Sequence, residues 1–228
     1  MTARPNATAD YRLCAAYSVC DSSVRLAPEA CGPARGGPLA ASFDKVVATR
    51  RSIRVYDRRE VSDSVVREIL DLARHAPTSM NGQACCFLVI RDPATKRRLA
   101  EIKNLHSPPE KRSYPADYLA DAPVIVAVCV ERARSFGREP ENGILATAFL
   151  LLAATSRGLS GVYLSATQRD DPELTASIRD LLHIPAGIDP ITLVPLGYPG
   201  AEPPAKTLRP LEEIIRYEFF DRELRSRN

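Results

Sequence analysis

The sequence has no tryptophan, only three histidines and no pair of cysteines spaced C-x-x-C. Since His75, His106 and His183 lie far apart along the chain, a zinc or iron–sulfur site lacks its usual ligand spacing, and we predict no metal site. The G-x-S-x-G, H-E-x-x-H, G-x-G-x-x-G and Walker patterns are also missing. These absences argue against the familiar hydrolase, zinc-protease and phosphate-loop chemistries. No catalytic side chain is predicted, and we expect a bound cofactor to carry any reaction.

A strong charge of one sign and a long apolar run are equally lacking. The 31 Lys and Arg residues nearly balance the 28 Asp and Glu residues, for a net charge of +3, whereas a nucleic-acid surface usually has a stronger basic bias. The longest apolar run, Ile144 to Ala154, is shorter than the ~18 residues of a membrane span. Asp10 and the shortness of the apolar run from Leu13 to Cys20 argue against a signal peptide. We therefore predict no nucleic-acid partner, no membrane segment and a cytoplasmic location.

Residues 1–41 differ in composition from the rest of the chain. They are rich in Ala, Pro and Gly, as in "CGPARGGPLA", and show no sustained hydrophobic period. We predict a poorly ordered N-terminal extension there and a single domain over residues 42–228. A disulfide between the adjacent Cys85 and Cys86 would be strained, because neighbouring strand residues point to opposite faces. Both are predicted to be buried thiols.

Hydrophobic periodicity predicts strands that alternate with helices. Continuous apolar runs at 122–131 and 191–199 are typical of strands buried on both faces, and shorter strands are predicted at 85–92 and 161–166. Helices are predicted over 63–76 with Ser62 as N-cap, over 93–104, over 143–157 with Gly158 as the stop, and over 172–182 with Asp171 as cap. The alternation favours an α/β or α+β sandwich.

Five arginines crowd into "RRSIRVYDRR", residues 50–59, beside residues that favour a strand. In extended backbone Arg50, Ser52 and Arg54 point to one side, while Arg51 and Ile53 point to the other. Guanidinium groups bind phosphate bidentately and a serine adds a hydroxyl donor, so this face would suit an anionic ligand. The alternative is a solvated charged face.

Two further polar stretches stand out. "APTSMNGQACCF", residues 76–87, lies between a predicted helix end and a predicted strand, and it carries the polar residues Thr78, Ser79, Asn81 and Gln83. These residues could form an ordinary turn, or they could offer hydrogen bonds to a polar ligand. In "PPAKTLRPL", Lys206 and Arg209 follow the last predicted strand, where each could be an ordinary surface cation.

These stretches, taken in order, resemble the nitroreductase family of flavin-dependent oxidoreductases. "RRSIRVYD" is similar to that family's R-x-S-x-[RK] opening, and "APTSMNGQ" to its A-P-S-x-x-N-x-Q loop. "YLADAPVIVAVCV", "LLAATSRGLSGVYL" and "LGYPGAEPPAKTLRPLEEII" resemble the later blocks, so the likeness covers roughly residues 42–220.

The resemblance implies an α+β fold, with a central, mostly antiparallel sheet sandwiched by helices, in an intertwined homodimer. It implies FMN at the dimer interface, NADH or NADPH as electron donor, and hydride transfer through flavin N5 to nitroaromatics, quinones or similar electron-poor small molecules. The implied flavin-phosphate contacts are Arg50, Arg51, Ser52, Arg54, Lys206 and Arg209. The implied partner-chain loop contacts are Pro77, Thr78, Ser79, Asn81 and Gln83, and Leu164 and Ser165 would face flavin N5.

The sequence departs from the family pattern at several positions. Ala84 and Cys85 stand where the family usually has Pro-Trp, Ala148 and Phe149 where it often has Gln-Asn, and Leu208 at a position that is commonly basic. Two alternatives therefore stay open: a relative of the same fold that fragments the flavin or removes halogens, and a flavin-binding regulatory protein without turnover.

Overall fold

The computed structural model describes residues 43–111, 113–168, 170–203 and 205–220. The predicted extension, with Cys14, Cys20 and Cys31, lies outside the described residues. The helices are α1 (Phe43–Thr49), α2 (Asp63–Ala73), α3 (Pro93–Leu105), α4 (Tyr118–Asp121), α5 (Arg132–Ser135), α6 (Glu139–Ser156), α7 (Pro172–Leu181) and α8 (Leu211–Ile214). The strands are β1 (Cys85–Ile90), β2 (Val124–Glu131), β3 (Ser160–Gly161), β4 (Leu164–Ser165) and β5 (Ile188–Gly197).

The sheet is built around β2 and β5. Its strand order is β1-β2-β5-β3, and β4 also pairs with β5. All of these described pairings are antiparallel, which confirms the α+β expectation over the α/β one. As predicted, β2 is buried on both faces from Val124 to Val130.

Alternate residues of β2 face two separate layers of helices. Val124, Val126 and Val128 pack with α2 and α6. Ile125, Ala127 and Cys129 pack on the other side with α3, α4 and α7. The apolar run of β2 is continuous because both faces of the strand are covered. None of the helices in the described part of the chain is long and apolar enough to cross a membrane.

Helix ends account for most differences from the sequence expectation. Ser62 caps α2 as predicted, accepting a hydrogen bond from the Val65 amide, but α2 ends at Ala73 rather than Ala76. α6 begins at Glu139, earlier than predicted, with Pro140 in its first turn. Proline is tolerated there because a first-turn amide needs no intrahelical partner. The prediction that Cys85 and Cys86 are both buried is wrong, since Cys86 is exposed.

The contact of α6 with β5 is close and partly polar. A Cβ on Gly143 would lie 2.6 Å from the Ile191 side chain, so only glycine allows this approach. Further along α6, the buried Thr147 hydroxyl donates to the Gly143 carbonyl (2.7 Å) and lies 2.6 Å from the buried Thr192 hydroxyl. Because the proton of Thr147 is already committed, the Thr192 hydroxyl is the donor between the two.

This donor assignment predicts unequal effects for two similar substitutions. Thr147→Val removes the acceptor of a buried hydroxyl and should lower the free energy of unfolding by about 1–3 kcal/mol. Thr192→Val leaves Thr147 bonded to Gly143 and should cost only about 0.5–1.5 kcal/mol. Urea denaturation of the two variants measures the difference; a larger loss for Thr192→Val would contradict the assignment.

Candidate functional site

The arginine segment, residues 50–59, docks along the edge of the sheet. The Ile53 amide donates to the Gly161 carbonyl (3.3 Å), and Ser52 forms a parallel bridge with Gly161 at the end of β3. Farther along, the Asp57 amide donates to the Tyr198 carbonyl (2.9 Å) and the Gly200 amide donates to the Val55 carbonyl (2.9 Å). Backbone hydrogen bonds thus hold the segment beside β3 and beside the chain leaving β5.

The side chains of this segment differ in exposure. Ile53 is buried, whereas Ser52 and Arg54 are exposed and Arg50 is half-buried. Arg51 turns back to donate to the Ala48 carbonyl at the end of α1 (2.8 Å), so much of its donor capacity serves the fold.

The segment's two ends have different surroundings. Arg54 lies 5.7 Å from the centroid of the Tyr118 ring. Arg59 packs directly on Tyr198, with its guanidinium carbon 3.5 Å from the ring centroid. Among the described residues, no ion pair engages Arg50 or Arg54. Two unpaired guanidinium groups and the Ser52 hydroxyl at one sheet edge therefore fit a phosphate group.

β3 and β4 bring the predicted Leu164 and Ser165 to the same edge as the arginine segment. Leu164 pairs with Leu193, and Ser165 with Thr192; both side chains are half-buried. The Ser165 carbonyl accepts a hydrogen bond from Lys103 Nζ (2.9 Å), and the Ser165 hydroxyl donates to the Thr167 carbonyl. The pairing with β5 and the Lys103 hydrogen bond therefore hold the backbone of β4.

Lys206 and Arg209 are exposed on the segment that follows Gly200. Arg209 forms an ion pair with Glu213 (3.4 Å). Within the described residues, no hydrogen bond or ion pair joins either cation to the arginine segment. Their predicted contact with an anionic ligand stays a prediction.

The second polar stretch, residues 77–83, forms a strained loop at the other end of the sheet. Thr78 Oγ1 accepts a hydrogen bond from the Gln83 amide (3.0 Å), and a short 3₁₀ turn covers Ser79–Asn81. Met80, Asn81 and Gln83 have positive φ values of 51°, 51° and 49°, a region that costs energy for residues other than glycine. Pro77, Asn81 and Gln83 are exposed. Strain concentrated in an exposed polar loop favours a functional role over that of a plain turn.

Two contacts that sequence reasoning missed hold this loop in place. Asn142, which is 1% exposed, accepts a hydrogen bond from the Ser79 amide (2.9 Å) and donates to the Ser135 carbonyl (3.3 Å). Arg134 Nε donates to the Gly82 carbonyl (3.0 Å). A Cβ on Gly82 would lie 2.0 Å from the Arg134 carbonyl, so glycine is required there for space. Gly82, which lies between polar residues, was the only local sign in the sequence that this loop is closely packed. Both contacts join distant parts of the chain and leave no local pattern.

The two polar groups lie at opposite ends of the sheet within one chain. The loop precedes β1, whose Cys85 pairs with Val130 near the end of β2. The arginine segment lies beside Gly161, which pairs with Leu196, the residue opposite Val124 at the start of β2. At ~3.3 Å per residue the length of β2 separates these ends by roughly 20 Å, and the groups also occupy opposite edges of the sheet. The structure therefore unites the arginine segment with β4 but not with the loop.

Comparison with known proteins agrees with this architecture. A model of the nitroreductase family matches residues 47–198. A Methanothermobacter thermautotrophicus protein named "Putative NADH dehydrogenase/NAD(P)H nitroreductase" is 32% identical, over 72% of this chain and 81% of that protein. An iodotyrosine deiodinase of Thermotoga neapolitana is 27% identical, over 75% of this chain and 95% of its own. A solved structure with the same name as the first relative, from Bacteroides thetaiotaomicron, is 26% identical with a TM-score of 0.67, and the match covers 77% of this chain and 96% of that one.

Asn142→Ala should release the loop while leaving the sheet intact. Losing the buried acceptor leaves the Ser79 amide without its partner, which costs about 1–3 kcal/mol, and amide exchange in residues 77–83 should accelerate at least about fivefold. Hydrogen exchange followed by mass spectrometry measures this. Glu141→Gln, an exposed neighbour on the same helix, is the control and should change little; equal acceleration in both variants would show that Asn142 has no special part.

Proposed function

Because this chain belongs to the nitroreductase family, we propose that it is an FMN-dependent oxidoreductase. It passes hydride from NADH or NADPH through flavin N5 to nitroaromatic, quinone or similar electron-poor acceptors. The observation that carries the proposal is the docking of the arginine segment on β3 with Arg50 and Arg54 free of acidic partners among the described residues. That arrangement supports binding of the dianionic phosphate of FMN.

A homodimer would complete this site. The arginine segment and the loop at 77–83 lie too far apart in one chain to border one flavin, so a second copy would supply the loop. The outward face of α6 supports this, because Ile144, Leu145 and Phe149 are 45%, 39% and 38% exposed. A two-fold interface buries the same patch from both copies, and an apolar stripe is the usual core of such an interface.

An apolar segment at residues 211–220 adds a second exposed surface. Leu211, Ile214, Tyr217 and Phe220 are all more than half exposed. A single soluble chain rarely leaves so many large apolar side chains open to water. A segment of this kind could extend over a second copy, which supports an intertwined dimer.

When bound, FMN supplies the redox chemistry, taking hydride from the nicotinamide and passing electrons to the acceptor. The chain's own residues would position the flavin and stabilise its charge. Arg50, Ser52 and Arg54 would hold the phosphate by charge-assisted hydrogen bonds. Lys206 and Arg209 would add positive charge to that phosphate, and the backbone of Leu164 and Ser165 would border the flavin ring. The loop of a second copy would border the other side.

The acceptor side of the proposed site has little cover. Only α5, a helix of four residues, lies between β2 and α6. A shallow pocket offers few apolar contacts to distinguish one flat aromatic molecule from another. Broad, low-affinity use of acceptors follows from this openness.

The likeness to an iodotyrosine deiodinase supports a second candidate function, the reductive removal of a halogen from an aromatic substrate. It requires the same fold and flavin but a pocket that recognises one substrate. The short connection at α5 favours the broader oxidoreductase activity over this alternative.

Arg50→Ala and Arg54→Ala should each weaken FMN binding by about tenfold to a hundredfold, because each removes a charge-assisted bond to phosphate worth about 1.5–3 kcal/mol. Arg58→Ala is the matched control on the same segment. Arg59→Ala removes the packing on Tyr198 and should affect stability more than FMN affinity. Titration of apoprotein with FMN measures all four variants; equal losses would mean that the cluster acts only as a diffuse positive field.

Mixed dimers can show whether the two halves of the site come from different chains. One tagged chain carries Arg50→Ala and Arg54→Ala, the other Asn81→Ala and Gln83→Ala, and each homodimer should bind FMN poorly. In the mixed dimer the arginine segment of the second chain faces the intact loop of the first, so about one FMN per two chains should bind tightly. Poor binding at both sites of the mixed dimer would place both halves in one chain.

Turnover tests the proposed function directly. NADH or NADPH added without oxygen should bleach the flavin absorbance, and a panel of quinones and nitroaromatics should each restore it with weak saturation. Reoxidation by 3-iodotyrosine alone would favour the dehalogenase candidate. Failure of both nicotinamides to bleach the flavin would favour a regulatory flavin-binding protein.

A further inference from the structure

Two cysteines from different strands lie directly opposite each other. Cys86 of β1 pairs in register with Cys129 of β2. Ala84 and Glu131 are the opposed residues two positions away from this pair, and the Glu131 amide donates to the Ala84 carbonyl (2.8 Å). Hydrogen-bonded pairs recur every second residue, so Cys86 and Cys129 occupy such a position, where Cα atoms are about 5.5 Å apart. That separation falls within the range of about 4.4–6.8 Å for the Cα atoms of disulfide-bonded cysteines. Opposed Cβ atoms lie about 4.5–5.5 Å apart, against about 3.5–4.5 Å in a disulfide, so closure requires a small local shift of the edge strand β1.

The neighbouring Cys85 faces the other side of the sheet and is already engaged. Side chains alternate along a strand, and the Cys85 thiol donates to the Asn142 carbonyl at 3.4 Å. Burial raises the pKa of Cys85 to about 11. Cys85 is therefore an unreactive thiol one residue from Cys86 and serves as a matched internal control.

Cys86 and Cys129 differ in the way that an attacking and a resolving thiol differ. Cys86 is exposed and Cys129 is buried. A hydrogen bond from the Cys129 side chain lowers the pKa of Cys86 to about 7, against the opposing effects of its partial burial and of Glu131. The same hydrogen bond and burial raise the pKa of Cys129, although Arg179 opposes them. At neutral pH the thiolate therefore resides on the exposed partner.

We propose that Cys86 and Cys129 form a peroxide-reactive dithiol that closes to a disulfide. The Cys86 thiolate attacks hydrogen peroxide, the O–O bond breaks, and sulfenic acid and hydroxide form. The Cys129 sulfur then attacks the Cys86 sulfur, an S–S bond forms, and water leaves with the thiol proton. Peroxide takes the two electrons, and a dithiol reductant such as dithiothreitol returns them.

Peptide mapping of the full-length protein after a brief hydrogen peroxide pulse, followed by alkylation, tests this pair. Trypsin releases Cys85 and Cys86 on residues 75–91 and Cys129 on residues 113–132, so the disulfide joins these two peptides and is distinguished from any link to Cys14, Cys20 or Cys31. The cross-linked pair should appear in the wild type and in Cys85→Ser, disappear after dithiothreitol, and be absent from Cys86→Ser. Cys129→Ala should instead accumulate Cys86 sulfenic acid that dimedone traps; alanine avoids burying a hydroxyl.

Alkylation rates provide an independent measure. Cys86 carries a larger thiolate fraction than Cys85 at pH 7, and the lower nucleophilicity of its less basic thiolate offsets only part of this difference. Peptide 75–91 should therefore react with iodoacetamide at least about tenfold faster in Cys85→Ser than in Cys86→Ser. A cross-link that persists in Cys86→Ser, or peroxide treatment that yields no link between the two peptides in the wild type, would overturn the proposal. None of these readouts depends on flavin binding or turnover.

Discussion

The antiparallel pairing of β2 with β1 and β5 is the constraint on which the rest of the structure depends. β2 is buried along both faces, so a slip of one residue would move its valines from the α2–α6 layer into the α3–α7 layer. With the register fixed, the start of β1 and the end of β5 must lie at opposite ends of the sheet. Each polar group of the proposed site is attached to one of those ends, so the proposal gives one chain two half-sites.

The two proposed half-sites are built by different means. The arginine segment gains its position from backbone hydrogen bonds to β3 and to residues 198–200, which leaves Ser52, Arg50 and Arg54 available to a ligand. The loop at 77–83 keeps a strained backbone, and its position depends on a buried side chain, Asn142. A segment whose backbone is fixed can present its cations to a phosphate, whereas the position of the loop depends on what packs against α6, the helix that carries Asn142.

Local patterns in the sequence predicted the elements but not the contacts between distant residues. The β-branched run of β2, the Ser62 and Asp171 caps and the Gly158 stop are local signals, and the structure confirms them. The roles of Asn142 and Arg134 depend on residues more than fifty positions away. Neither hydrophobic periodicity nor a capping residue reveals contacts over that distance. Cys86 was wrongly predicted to be buried because its strand lies at the sheet edge, and strand order cannot be read from β-propensity.

α6 links the loop to the proposed dimer contact. Asn142 in its first turns holds Ser79, and Ile144, Leu145 and Phe149 form an exposed apolar stripe along the same helix. A helix moves as a rigid body over two or three turns, so packing of a second copy on that stripe would fix the loop relative to the partner's arginine segment. Glycine at position 143 and the Thr147–Thr192 hydrogen bond seat the opposite face of the helix on β5. The same helix would therefore set the distance between the sheet, the second copy and the loop, and a change in its seating should alter both half-sites together.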